Sequence, residues 1–360
     1  METSIPKLQE RIREAVRSRT ALRIRAGGSK DFYGNTGAGE LLDPRSHRGI
    51  VAHEPTELVI TARAGTPLVE LEEVLEASGQ MLVFEPPHFG ANATLGGCVA
   101  AGLSGPRRAA AGALRDFVLG VKLLSGRAEV LGFGGTAMKN VAGYDVSRLL
   151  AGSLGTLGVI LEVSLKVLPK PGLEATLRFE MDEAAALRHM NELGGQPLPI
   201  SASAWRDGGD AGAGILHIRL SGSRLGVESA CARLGGERLD EESGAAFWQG
   251  LREHSDPFFA TEAPLWRLGL PSSAAAVGLE GARLTEWGGA QRWLHSQLPA
   301  TEIRKRAQAL GGHATLFRGG DRREGVFTPL SAPVMAIHRR LKAEFDPAGI
   351  LNPGRMYPDF

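Results

Sequence analysis

The run Arg25-Ala26-Gly27-Gly28-Ser29-Lys30 follows a short apolar stretch, Leu22 to Ile24, and joins paired glycines to a hydroxyl and two cations. Successive backbone N–H groups in such a turn form an anion-binding nest, and a pyrophosphate suits that chemistry. Gly27 and Gly28 can take positive φ there without steric penalty. An ordinary strand-to-loop turn would use the same residues. The GxGxxG arrangement of a dinucleotide-binding fold is excluded, since no glycine-rich turn leads directly into a helix with an acidic residue about 20 positions on. Gly132-Phe133-Gly134-Gly135 lacks that context too.

The elements that must position the turn can be read from apolar spacing. Pro6 to Arg19 predicts a helix on Leu8, Ile12, Ala15 and Val16, with Ser4 available as its cap. Leu58 to Ala64 reads as a strand, and Thr66-Pro67 opens a helix through Leu68, Leu71, Val74 and Leu75 that Gly79 ends. The runs FVLGVKLLS and AEVLGF after Phe117 predict an antiparallel pair, and Val159 to Leu168 one more strand. Between Gly90 and Gly158 there are fifteen glycines in sixty-nine residues, which marks a backbone that presses closely on a large ligand. Lys170-Pro171-Gly172 reads as a boundary. Beyond it Leu173 to Met181, Leu216 to Leu220 and Leu265 to Leu270 read as strands, and Glu183 to Leu193 and Ser223 to Leu234 as helices. They predict a second sheet covered by helices on one face. The class is α+β, in two domains, as 360 residues would suggest.

With 41 basic and 40 acidic residues the chain offers no electrostatic case for nucleic acid or an anionic membrane. Cys98 and Cys231 are its two cysteines, far apart and without a CxxC, so neither a disulfide framework nor a cluster or zinc site is supported. No metal is expected. The N-terminal run lacks the apolar core of a signal peptide, and no stretch approaches a spanning helix. A cytoplasmic protein is expected, and contact with a membrane would have to come through a partner.

Four pieces in order carry a resemblance. They are the turn at 25–30, EPPHFGANATLGG (Glu85 to Gly97), KNVAGYDVSRLLAGSLGTLGVI (Lys139 to Ile160) and FDPAGILNPGRMY (Phe345 to Tyr357). Together they resemble the FAD-binding domain of the vanillyl-alcohol-oxidase and D-lactate-dehydrogenase superfamily, and most nearly the FAD-binding subunits of bacterial glycolate oxidases. The resemblance implies an FAD-binding domain over 1–171, a smaller α+β cap over 172–344 and a tail, 345–360, packed back on the first domain. It implies FAD contacts at Arg25, Ala26, Gly27, Gly28, Ser29 and Lys30, and at Thr94, Gly96 and Gly97 through a hydroxyl and open N–H groups. It further implies an adenine-side wall at Gly155, Gly158, Val159 and Ile160, where packing of a glycine-rich strand stays open as the alternative. Arg107 and Arg108 can neutralise phosphate or an electron-rich flavin, or form a surface pair. Asn352 is a candidate contact near the flavin, or tail packing. Ser29 stands where covalently flavinylated relatives often carry histidine, which implies a non-covalent flavin.

The chain departs from self-sufficient 2-hydroxy-acid oxidases, which show Gly-His-x-x-x-Gly-Asp-Gly-Asn-x-x-His. Its nearest text is Gly311-Gly312-His313-Ala314-Thr315, with no second histidine at ligand spacing. Arg267, Arg304, Arg318 and Arg355 are all candidate carboxylate clamps, so no catalytic residue can be chosen. The resemblance therefore implies a subunit of a heteromeric glycolate dehydrogenase, beside a second FAD subunit and an iron–sulfur subunit. The alternatives are an electron-transfer or assembly subunit, or a stand-alone dehydrogenase of a small 2-hydroxy acid.

Overall fold

The computed structural model describes residues 4–136, 145–208, 213–358 and 360, so the part of the 139–160 motif that falls on 139–144 lies outside the described residues. Apolar spacing on the first helix, Ser4–Ser18, buries Leu8, Ile12 and Ala15 on one face. Ser4 is the first helical residue rather than a cap, and its hydroxyl meets His47 Nδ1 at 3.0 Å. Leu22–Ile24 pairs in parallel with Glu40–Leu42.

An antiparallel five-stranded sheet follows in the order Ile50–Glu54, Val59–Arg63, Val159–Lys166, Val118–Leu124 and Val130–Gly134. Its central strand, Val159–Lys166, is rich in β-branched and apolar residues and buried along nearly its whole length, as a strand covered on both faces should be. The helix Leu68–Glu76 buries Leu68, Leu71 and Leu75. Gly132 to Gly134 lies in the edge strand of this sheet, in keeping with the absence of a dinucleotide fingerprint there.

The chain divides into two units. One comprises Met1–Leu103, Ala113–Pro169 and Pro329–Phe360, the other Ser104–Gly112 and Lys170–Thr328. This differs from the expected division in two places. Ser104–Gly112 goes with the second unit, where Trp287 Nε1 donates to Gly105 O at 3.1 Å and the Arg108 guanidinium lies 4.5 Å from the Trp287 ring centre. The return to the first unit begins at Pro329, because the helix Ala332–Phe345 is anchored there through Lys342, whose ammonium donates to Thr156 O at 2.7 Å and Leu351 O at 2.6 Å.

The second unit is an eight-stranded antiparallel sheet. The helices Glu183–Gly194 and Arg224–Leu234 bury Ala186, Leu187, Met190, Val227 and Ala230 against Leu177, Leu216, Ile218 and Trp205. The expectation of helices on one face is corrected by Glu241–Glu253. Trp248 on this helix donates from Nε1 to Thr176 Oγ1 at 2.9 Å, and Phe247 stacks at 3.9 Å on His217. Thr176 and His217 alternate with Leu177 and Ile218 along their strands, and so point to the opposite face.

Candidate functional site

The turn after Leu22–Ile24 hangs between two fixed arms. Arg25 N donates to Leu42 O at 3.1 Å on one side, and Asp31 N to Gly28 O at 3.1 Å on the other. Between them, the backbone N–H groups of Ala26, Gly27, Gly28 and Ser29 have no hydrogen-bond acceptor among the described residues, although all four residues are half-buried. Backbone donors shielded from water are almost always paired, so four in a row without a protein partner require a ligand or solvent. A pyrophosphate supplies acceptors of the right kind.

Gly28 is required by its backbone conformation and Gly27 by close approach. Gly28 has φ +72°, and a Cβ there would meet the Arg25 guanidinium carbon at 2.7 Å. A Cβ on Gly27 would fall on the Asn92 carbonyl oxygen, so the turn lies directly against the 91–97 segment. Arg25 is held over the turn by an ion pair with Asp31. Lys30 Nζ donates to His88 O at 3.1 Å, bringing a cation to the same loop pair.

The open N–H groups expected at Gly96 and Gly97 are not there. Gly96 N donates to Ala64 O at 2.8 Å, and Gly97 N to the Thr94 hydroxyl at 3.3 Å, because Thr94 caps the helix Leu95–Ala101. What these three residues do is start a helix and set its height on the strand Val59–Arg63.

The third segment rests on that helix. Gly152 N donates to Val99 O at 2.9 Å and Leu154 N to Ala100 O at 2.8 Å. Gly155, at φ +72°, is buried and its N–H has no acceptor among the described residues. Packing accounts for the remainder of the expected adenine wall. Gly158 lies against Leu123, while Val159 and Ile160 pair with Leu124 and Leu123, and the Val159 side chain is wholly buried beside Leu8, Ile12 and Leu161.

Tail packing also accounts for Asn352. Its Oδ1 accepts from Ile24 N at 2.7 Å and its Nδ2 donates to Leu154 O at 2.6 Å, while Asn352 N donates to Leu22 O at 2.9 Å. The side chain thereby joins the strand leading into the 25–30 turn to the Leu154-Gly155 turn. Arg107 and Arg108 have partners inside the second unit. Arg107 is buried and paired with Glu174, and Arg108 stacks on Trp287. Burial would raise the Glu174 carboxyl, but Arg219 and Arg107 beside it hold it below the usual range. Cys98 is buried, and desolvation pushes its thiol up to about 12, so no thiolate is available there at neutral pH.

The sequence offered Arg355 only as one of several candidate carboxylate clamps and gave no signal for Lys342. Arg355 donates to Tyr33 O at 2.6 Å, Asp31 O at 3.2 Å and Asn35 O. Lys342 and Asp346 are both buried. In sequence they look like ordinary helical charges.

Over 352 residues the chain is 49% identical to the glycolate oxidase subunit GlcE of Escherichia coli (strain K12), covering 98% of this chain and 97% of that one. The chain belongs to the GlcE family of FAD-linked oxidases. An FAD binding domain family matches residues 3–146, and the C-terminal domain family of FAD linked oxidases matches 319–356. The glycolate oxidase subunit GlcD of Bacillus subtilis is 33% identical over 141 residues, 38% of this chain and 29% of that one. An alkyldihydroxyacetonephosphate synthase structure matches 97% of this chain and 75% of its own with a TM-score of 0.66 at 15% identity, a likeness of fold. The cofactor is FAD, and the chain is a flavoprotein oxidoreductase. Two of the three segments that meet at the 25–30 turn keep backbone N–H groups open, which fits a group carrying a pyrophosphate.

Proposed function

We propose that this chain is an FAD-bearing subunit of a heteromeric glycolate-oxidising enzyme, with FAD held non-covalently and its pyrophosphate seated on the N–H groups of Ala26 to Ser29. The observation that carries the reading is the near full-length likeness to a glycolate oxidase subunit, together with that row of open donors. When bound, FAD supplies a two-electron acceptor for hydride from the carbon that bears the hydroxyl of a 2-hydroxy acid. Gly27 and Gly28 let the loop approach the phosphates, and Lys30 and Arg25 offset their charge. Gly155 offers one further buried donor at the turn joined to the loop by Asn352.

Electrons then pass to partner subunits, a second flavoprotein and an iron–sulfur protein. Cys98, with its thiol held protonated, and Cys231 supply no cluster of their own. Any membrane contact comes through those partners; among the described residues no helix is long and apolar enough to cross a membrane. A second reading, an electron-transfer or assembly subunit beside a catalytic paralogue, is favoured by one specific feature. The strand His313–Arg318 bears a single histidine where self-sufficient oxidases carry the paired-histidine motif.

Acid precipitation of the isolated protein should release its yellow chromophore into the supernatant; colour that stays with the pellet would contradict a non-covalent flavin. Glycolate added anaerobically to the isolated chain and to the native complex then separates the two readings. Bleaching of this chain's flavin assigns substrate oxidation to it, and bleaching only within the complex assigns it the electron-transfer role.

A further inference from the structure

We propose that Arg355 is a positioning residue for FAD, acting through the pyrophosphate loop and not by contact with substrate. The inference rests on the reading of Ala26 to Ser29 as the phosphate cradle. Arg355 lies 325 residues beyond Lys30 in sequence, yet its guanidinium reaches the carbonyls of Lys30 at 3.4 Å, Asp31 at 3.2 Å and Tyr33 at 2.6 Å, as well as that of Asn35. The contact is reciprocal. Asn35 N donates to Arg355 O at 2.9 Å, and Asn35 Nδ2 to Gly354 O at 3.0 Å. Gly34, at φ +88°, lets the Arg355 backbone come this close, since a Cβ there would stand 3.0 Å from Arg355 O.

A guanidinium carries five donors in a rigid plane, so one side chain can gather several carbonyls that an ammonium would have to choose among. Here it gathers the carbonyls of the arm that follows the cradle. The Gly28 O to Asp31 N bond passes that constraint into the cradle itself, whose other arm is fixed by Leu42 and by the press of Gly27 on Asn92. With both arms fixed, the four N–H groups are held in place before the ligand arrives, and binding need not order them. Arg355 also places an obligatory positive charge next to the proposed anion-binding loop.

The test uses apoprotein of the full chain, reconstituted with FAD, with ADP and with riboflavin, which lacks phosphate. Arg355→Met is expected to weaken FAD and ADP by about tenfold or more while leaving riboflavin affinity and the melting temperature of the apoprotein within error of wild type. Arg355→Lys, which keeps the charge but loses the fork, is expected to fall between the two, and it carries the same comparison if the methionine variant does not fold. Equal losses for all three ligands would overturn the proposal in favour of a general structural role, and so would unchanged FAD affinity. Gly28→Val in parallel separates the failures: if it too leaves FAD affinity unchanged, the phosphate-loop reading itself falls; if it weakens FAD while the Arg355 variants do not, the positioning role alone falls.

Discussion

Lys342 and Asp346 stand one helical turn apart and meet at 2.7 Å between Nζ and Oδ2, in surroundings from which water is almost fully excluded. Neither charge is left with a single partner. The ammonium also donates to Thr156 O and Leu351 O, and the carboxylate also accepts from Leu351 N at 2.8 Å and Ile350 N at 3.3 Å. Burial draws the lysine below its ordinary range, and Asp346 opposes that shift. A charge pair this dry persists only when each remaining donor and acceptor is matched.

Removing one partner should therefore be costly. Asp346→Ala leaves a buried ammonium and two backbone N–H groups without their acceptor, and is expected to destabilise the protein by about 3–5 kcal/mol. Glu344→Ala, two residues earlier, breaks only an exposed pair with Arg127 at 3.7 Å and should cost no more than ~1 kcal/mol. Urea unfolding followed by circular dichroism measures both. Comparable midpoints for the two variants would show that the buried pair is not the anchor.

Glycine replacements in the phosphate loop should act on cofactor affinity. Gly28→Val forces a β-branched residue to positive φ, a strain of roughly 1–3 kcal/mol, and displaces the Arg25 guanidinium. Gly27→Ala places a methyl on the Asn92 carbonyl. Each is expected to weaken FAD by more than about tenfold in a fluorescence-quenching titration. Gly194→Ala is the matched control, since no atom lies within 4 Å of its added Cβ and its φ is not positive. Gly312 would not serve, because a Cβ there collides with Gly269 O. Unchanged affinity in both loop variants would make the turn merely structural.

His217 predicts a pH dependence of stability. Burial, reinforced by Arg206 and Arg178, lowers its pKa to about 4, while Asp256 and Glu237 oppose the shift. The folded protein thus keeps the ring neutral between about pH 4 and the unfolded value near 6.5, where the unfolded chain takes up a proton. Its contribution is full above pH 6.5 and is lost as pH falls toward 4, by at most about 3.5 kcal/mol at about 1.4 kcal/mol per pKa unit. Denaturant midpoints at pH 7.5 and pH 4.5 should lie further apart for wild type than for His217→Gln, with the wild-type value lower at pH 4.5. An identical slope in the two proteins would remove His217 as the cause.

What was legible in the chain depended on how local the physics is. The 25–30 turn stood out through its position and its order with the later motifs, since paired glycines alone suit an ordinary turn, and the first helix could be read because Leu8, Ile12 and Ala15 repeat at helical spacing. The N–H groups of Gly96 and Gly97 were not open as expected, since a glycine's N–H looks free until its acceptor, here Ala64 O or the Thr94 hydroxyl, is known. Ile200–Arg206, Ala282–Glu286 and Gln291–His295 gave no strand signal of their own, because polar and small residues such as Ser201, Ser203, Thr285, Glu286 and Arg292 are buried in them and break the apolar run. Asn352 and Arg355 owe their roles to carbonyl and N–H partners more than three hundred residues away. No window along the chain contains those partners.

The first unit is woven from three separate stretches, and the last of them supplies Arg355, Asn352 and the Lys342–Asp346 pair. A ribosome therefore releases the nest-forming turn hundreds of residues before it makes the guanidinium that backs it. During synthesis the turn stands ready in sequence but unsupported in space. On the proposed phosphate-loop reading, a chain cut before Pro329 keeps every glycine of the turn yet lacks Asn352 and Arg355, and is expected to hold FAD more weakly than the whole chain.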